Sequence, residues 1–303
     1  MTSSMQSTEA GPARTLSMRA PAKVNLVLKV LDRRPDGYHN IWSLMQTVAV
    51  EDELVFRLRP RASALTLQCD DSTLPTDGRN LVAQAATLAL ERAGRAVGLE
   101  VRITKRIPVS AGLGGGSSNA AATIAAINQL LNLGWSAEEM ARMSQPLGSD
   151  VPFFFFAPTA LVCGRGEAVT ARRIEGRRWV VLVNPGFPIE TRWAYDQLAA
   201  KRGKVAPLPR PLQHMTESGT LVWENIIPLM DNDFETALTP IHGVLREIKQ
   251  GLLSEGAEAA LLSGSGATVF GLFRDEPSAI RAQNTVGAAR GFRSFTALTG
   301  THS

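Results

Sequence analysis

The residues between Pro108 and Ala121, PVSAGLGGGSSNAA, put four glycines within Gly112, Leu113, Gly114, Gly115 and Gly116 and follow them with Ser117, Ser118 and an alanine-rich run. Amides at the start of a helix lack intrahelical partners, and the aligned peptide dipoles leave about half a positive charge there. Glycine removes the β-carbon that would block an anion and admits the left-handed conformations that curl successive N–H groups into a nest. A flexible loop running straight into a compact helix is therefore suited to cradling a phosphate, with the two serines adding hydroxyls. Other phosphate loops are excluded by what is missing. No Lys–Ser/Thr pair follows the second glycine, as a P-loop requires. Ser117 stands where the dinucleotide fingerprint needs its last glycine, and the H-R-D and D-F-G motifs of protein kinases do not occur.

Such a loop needs a strand to deliver it and a helix to hold it. Residues 99–105 (LEVRITK) read as that strand, and residues 118–133 as the helix, with Gly134 as its stop. Ser136 and Glu139 form a capping box for a second helix that breaks at Pro146. Upstream, residues 22–31 alternate with period two, placing Lys23, Asn25 and Lys29 opposite Val24, Leu26, Leu28 and Val30. Pro35-Asp36-Gly37 is turn chemistry, so a hairpin follows. Residues 53–58, 64–69 and 179–184 read as strands, residues 80–93 and 241–253 as helices, and residues 201–211 as a loop. The aromatic run at 151–160 (VPFFFFAPTA) reads as a buried strand, with Val151 extended because proline follows it. Residues 261–273 (LLSGSGATVFGLF) read as a turn opening into a strand. Helices among mostly antiparallel strands indicate an α+β fold. Charge and glycine cluster at 172–178, dividing the chain into a disordered tail at 1–17, an N-terminal domain at 18–173 and a C-terminal domain at 174–303.

Composition narrows the classes further. With 303 residues, 44% hydrophobic and 20% charged, the chain can build two domains. No apolar run approaches the roughly 18 residues of a membrane span, so no membrane partner is expected. The net charge of +4 carries no dense basic stripe, which argues against nucleic acid and fits a phosphate-bearing small molecule. Cys69 and Cys163 alone cannot form a disulfide framework or a zinc site, and the four histidines are scattered. A cytoplasmic protein is expected.

The pattern P-x-x-x-G-L-G-G-G-S-S-N-A-A resembles the ATP-binding motif of the GHMP kinases, named for galactose, homoserine, mevalonate and phosphomevalonate kinases. APAKVNL (residues 20–26) resembles the family's N-terminal motif and LLSGSGATVF (residues 261–270) its C-terminal glycine motif, in the family's order. The resemblance implies a two-domain GHMP kinase fold, with an N-terminal domain like ribosomal protein S5 domain 2 and a ferredoxin-like C-terminal domain. It also implies ATP and Mg²⁺. The doubled glycine motif fits best the branch acting on a cytidine diphosphate sugar alcohol in the non-mevalonate isoprenoid route. By the same resemblance, Lys23 and Asp150 face each other across the acceptor hydroxyl, Asp150 as base and Lys23 as orienting charge. Pro108, Leu113, the loop glycines and both serines belong to the ATP site, as do Asn80, Leu81 and Lys105. Tyr38 and His39 match the cytidine-pocket motif, Tyr38 stacking on the base and His39 reading its polar edge. Asn25, Thr191, Tyr195, Gly264 and Gly266 complete the substrate side, with Tyr195 closing the other face of the base and Trp193 competing for that place. No carboxylate is assigned to Mg²⁺; Glu167 and Asp233 are set aside in favour of a serine hydroxyl and water. A monomer or weak homodimer is expected. A GHMP kinase for homoserine or mevalonate, and a non-catalytic RNA- or nucleotide-binding module, remain as alternatives.

Overall fold

The computed structural model describes residues 14–59, 64–203 and 205–300. The expected tail lies outside these as far as residue 13, but residues 15–17 already belong to a strand. The elements run β1 (Thr15–Arg33), β2 (His39–Arg59), β3 (Leu65–Cys69), α1 (Leu81–Ala93), β4 (Gly98–Thr104), α2 (Gly115–Leu131), α3 (Ala137–Ser144), β5 (Thr159–Gly164), β6 (Ala168–Ala171), β7 (Arg173–Glu175) and β8 (Trp179–Asn184). They continue with α4 (Thr191–Lys201), α5 (Arg210–Glu217), β9 (Thr220–Val222), α6 (Trp223–Ile226), β10 (Asp231–Asn232), α7 (Glu235–Ile241), α8 (Gly243–Ser254), β11 (Ala259–Leu262), β12 (Val269–Phe273), α9 (Glu276–Ala282) and β13 (Arg293–Leu298). This is the α+β class that the pattern predicts.

One sheet runs β10-β1-β2-β4-β3, with β5 and β6 attached to the other half of β2. The 21 residues of β2 make this branching possible. Its residues 41–46 pair with β5 and its residues 53–59 pair with β4. A second, antiparallel sheet runs β11-β12-β8-β13. Helix α8 packs on β11 and β12, and α9 on β8. A short parallel pair, β7-β9, completes the strands.

The β1–β2 ladder shifts register between Asn25 and Val27. A bulge of this kind inserts a residue and re-aims its neighbours. Leu26 and Val27 are both fully buried as a result, while Lys23 and Asn25 stay together on one side. Alanine explains how the glycine loop's helix seats itself. Ala120, Ala121, Ala122 and Ala126 of α2 and Ala85, Ala86 and Ala89 of α1 are buried, so the helix pair and β1 approach closely.

Three local expectations are corrected. Residues 152–155 form a 3₁₀ turn, and the strand begins only at Thr159. Proline at the start of that turn has no amide to lose, and Phe153 and Phe154 are both buried as an edge-to-face pair at 5.0 Å, which alternation in a strand would forbid. Val151 accordingly adopts helical angles (φ −63°, ψ −44°) rather than extended ones, its amide bonded to the Gly148 carbonyl. Helix α2 stops at Asn132, in the left-handed conformation, two residues before Gly134. Among the described residues, no helix is long and apolar enough to cross a membrane.

Candidate active site

The glycine loop lies between β1 and the turn joining β11 to β12. Its position is fixed by backbone contacts that leave no room for side chains. The Leu113 carbonyl accepts from the Lys23 amide at 2.9 Å, while the Leu113 side chain is buried in the core. The Gly112 carbonyl accepts from Ser263 Oγ at 2.9 Å. Gly112 has φ +76°, and a β-carbon on it would stand 2.1 Å from the Ser263 carbonyl oxygen. Gly114, at φ +69°, is the N-cap of α2, and a β-carbon there would meet Lys23 Cγ at 2.9 Å. No side chain caps the first turn of α2, so its amides remain available to an anion.

Two hydroxyls flank those amides. Ser117 Oγ lies toward Gly148, which opens the turn carrying Asp150. Ser118 is 2% exposed, and its Oγ has no hydrogen-bond partner. A buried hydroxyl without a partner costs about 1–3 kcal/mol, which a bound oxygen ligand or cation would recover. Lys105, just after β4, pairs with the fully buried Asp52, which also accepts from the Arg106 and Ile107 amides at 2.7 and 2.9 Å. The Lys105 ammonium sits 3.3 Å from where a Gly115 β-carbon would be, beneath the loop. Asn80 caps α1 and bonds the Pro75 carbonyl, and the Leu81 side chain abuts Gly116. Pro108 is buried.

Beside the loop opens a cleft of about 1170 Å³. It gathers Lys23, Asn25, Tyr38, His39, Gly112, Gly114, Asp150, Thr191, Tyr195, Gly264 and Gly266, which are dispersed over most of the chain. Lys23 Nζ lies 3.4 Å from Asp150 Oδ2 and donates to Asn25 Oδ1 at 2.8 Å. Asn25 in turn donates to Ser43 Oγ at 2.9 Å, and that hydroxyl donates to the Val27 carbonyl. The ammonium is therefore held from two sides, with Lys23 3% and the Asp150 side chain 32% exposed. A buried cation steered onto a half-open carboxylate can position a hydroxyl so that the carboxylate takes its proton.

The opposite end of the cleft is aromatic. Tyr38 is exposed, with the Arg165 guanidinium 5.4 Å above its ring. His39 and Tyr195 stack on each other at 4.9 Å and 7°. Tyr195 thus backs His39, and no base fits between these two rings. Tyr195 lines the same cleft as Tyr38, as expected of a residue on the substrate side. Burial first, then the Asp150 charge, pushes the Tyr195 hydroxyl up to about 12, so it stays protonated. Burial lowers the His39 pKa, reinforced by Arg33 and Arg202, which leaves a neutral ring able both to donate and to accept. Trp193 turns edge-on to His242 at 5.8 Å and does not line the cleft. Thr191 opens α4 and shares a hydroxyl contact with Ser265 at 3.1 Å.

Arg165, Ser110 and Arg33 also line the cleft and escaped the sequence reading. For Arg165 a signal existed in the flanking glycines. A β-carbon on Gly166 would strike the Ser149 carbonyl at 2.3 Å, so the turn is pressed against the Asp150 segment. Glu167 and Asp233 are occupied, by the Arg165 amide and by Lys29 with the Val30 amide respectively.

The comparisons agree with this geometry. The GHMP kinases N terminal domain matches residues 80–157, and the GHMP kinases C terminal domain matches residues 221–291. A 4-diphosphocytidyl-2-C-methyl-D-erythritol kinase from Pelobacter propionicus is 41% identical over 271 residues, covering 89% of this chain and 94% of that protein. The corresponding protein from Syntrophotalea carbinolica is 40% identical over 281 residues, covering 92% and 97%. A crystal structure of 4-(cytidine 5'-diphospho)-2C-methyl-D-erythritol kinase superposes with a TM-score of 0.75 at 31% identity, over 94% of this chain and all of that one. Homoserine kinase from Cytophaga hutchinsonii, at 21% identity and a TM-score of 0.73 over 99% of this chain and 98% of its own, shares the fold. The chain belongs to the GHMP kinases, in the group of the 4-diphosphocytidyl-2-C-methyl-D-erythritol kinases.

Proposed function

We propose that this chain transfers the γ-phosphoryl group of ATP to the 2-hydroxyl of 4-diphosphocytidyl-2-C-methyl-D-erythritol, giving the 2-phosphate and ADP in the non-mevalonate isoprenoid route. One observation carries the reading. The Lys23–Asp150 pair, 3.4 Å apart, lies in a cleft that adjoins the glycine loop and reaches Tyr38 and His39.

Phosphoryl transfer passes through a loose transition state, so positioning and charge do most of the catalysis. The hydroxyl oxygen forms its bond to the γ-phosphorus as the bond to the β-γ bridging oxygen breaks and ADP departs. Asp150 takes the hydroxyl proton. Lys23, fixed by Asn25 and Asp150, keeps the carboxylate aimed and offsets the negative charge that gathers on the oxygens. The amides of the first turn of α2, with Ser117, receive the phosphates. Mg²⁺ would neutralise the triphosphate. Ser118 Oγ, buried and unpartnered, is the protein group suited to contribute to its site, with water and phosphate oxygens supplying the rest. Among the described residues, no three His, Cys, Asp or Glu side chains cluster as a metal site.

Cytosine stacks on Tyr38, and neutral His39 meets its amine and ring nitrogen. The free thiols of Cys69 and Cys163 suit a reducing cytoplasm. ADP release, measured with the diphosphocytidyl substrate, homoserine and mevalonate offered separately, tests the proposal. Turnover with the first alone is expected; turnover only with homoserine or mevalonate refutes the substrate assignment.

A further inference from the structure

The four residues Asn232, Asp233, Phe234 and Glu235 hold elements that surround the cleft. Asn232, fully buried in β10, donates its side-chain amide to the Leu262 carbonyl at 2.7 Å and the Gly264 carbonyl at 2.9 Å, and accepts from the Phe234 amide at 3.0 Å. Asp233 accepts from the Val30 amide at 2.9 Å and from Lys29 at 3.0 Å, fixing the far end of β1. Phe234 meets the Tyr195 ring edge-on at 4.9 Å. Glu235 accepts from the Leu262 amide at 2.7 Å.

The side-chain amide of Asn232 is spent on the last residue of β11 and on the turn that follows it. That turn carries Ser263, which bonds the Gly112 carbonyl, and Gly264, where a β-carbon would stand 3.2 Å from Lys23 Nζ. Parallel pairing of β10 with Val27 and Leu28 ties the same asparagine to the strand bearing Lys23. Asn232 therefore joins, through one side chain, the strand that supplies the ammonium and the turn that presses on the glycine loop.

We infer that Asn232 is a positioning residue for phosphoryl transfer. Its amide sets the 263–266 turn against Gly112 and so fixes the distance between Lys23 and the nucleotide cradle. The kinetic form of this inference rests on the function proposed above; its geometric form does not.

Asn232→Asp tests it. A carboxylate cannot donate to either carbonyl, and misplacement near 1 Å at a reacting centre can cost about 100-fold in rate. The expected result is a kcat lowered about 10- to 100-fold, with KM for both substrates within about threefold of the wild type. Burial among carbonyls raises the pKa of the new carboxyl, and once protonated it donates one bond again. The ratio of variant to wild-type kcat should therefore rise as pH falls from about 8 to about 6. The charged groups around the position, Lys23, Lys29, Arg202, Asp231, Asp233 and Glu235, are common to both proteins, so the ratio cancels their own titration. A role confined to stability lowers Tm and leaves kcat per folded molecule unchanged at every pH, which overturns the inference, as does a loss confined to KM. Should the aspartate variant not fold, Ser263→Ala removes only the hydroxyl that reaches Gly112; a kcat lowered about 3- to 10-fold supports the inference and an unchanged one overturns it. An inactive wild-type protein would refute the proposed function instead. The inference is then judged on a crystal structure of either variant beside one of the wild type: a 263–266 turn withdrawn from Gly112 supports it, and an unmoved turn overturns it.

Discussion

Replacing Gly112 by alanine isolates the contact between the two halves of the cleft. The new β-carbon would start 2.1 Å from the Ser263 carbonyl oxygen and 2.9 Å from that of Gly266, both backbone atoms. Since a β-carbon does not come closer than about 3.0 Å to such atoms, the loop or the turn must move by about 1 Å. The left-handed conformation at φ +76° costs a non-glycine residue about 1–2 kcal/mol. Moving the turn also weakens the Ser263–Gly112 hydrogen bond, a further loss of about 0.5–1.5 kcal/mol. The total, about 1.5–3.5 kcal/mol, corresponds to a fall in Tm of roughly 2–6 °C for a chain of 303 residues. On activity, a 1 Å displacement of the cradle predicts a loss of about 100-fold in kcat. Gly94→Ala is the matched control. Gly94 has a similar φ of +61° but nothing within 4 Å, so its variant bears the conformational cost alone and keeps the wild-type kcat. Calorimetry on both variants, with ADP release under saturating substrates, makes the comparison. If the two variants show the same Tm and the same kcat, the turn does not press on the loop and the reasoning fails.

Asp150→Asn is expected to lower kcat by about 10²–10⁴-fold while the Kd for an ATP analogue changes little; a loss confined to nucleotide affinity would place Asp150 elsewhere in the chemistry. Ser118→Ala removes an unpartnered buried hydroxyl, so Tm of the ligand-free protein should hold or rise while Mg²⁺-dependent ATP affinity weakens about tenfold; the opposite pair of outcomes refutes a ligand role for that oxygen. Tyr38→Ala should raise KM for the cytidine substrate by about 5- to 100-fold through lost stacking and leave KM for ATP unchanged in the same assay. Because the folded protein keeps His39 neutral below the usual imidazole range, unfolding takes up a proton as pH drops below about 6.5, and stability falls there. The Tm of the wild type should thus decline more steeply between pH 7 and pH 5 than that of His39→Gln, and equal slopes would contradict the shift.

The sequence exposes those parts of the site whose chemistry is local. A glycine nest followed by a helix is written in consecutive residues, so the cradle around Gly112–Ser118 is readable before any fold is known. The same holds for the turn that ends at Tyr38, and for the capping box of Ser136 and Glu139, which forms as expected. What escapes is fixed by distant partners. Asn232 and Gly264 are 32 positions apart, and Gly112 and Ser263 are 151 apart; no periodicity encodes such pairs. The stack of Tyr195 on His39 is likewise beyond the sequence, because it depends on how α4 docks beside the start of β2. The VPFFFF run misleads for a different reason. Four aromatics raise strand propensity, yet burial of adjacent rings and a leading proline favour a tight helical turn.

The strand β10 has a bearing on how ligands come and go. Although it arises late in the chain, it is stitched to the edge of the first sheet, and Asp233 latches the next residue along β1. Swinging the two sheets apart like jaws would have to unzip that edge and expose the buried Asn232. The Asp36–Tyr38 turn and Arg165, by contrast, line the cleft from outside this seam, so a displacement there breaks none of its bonds.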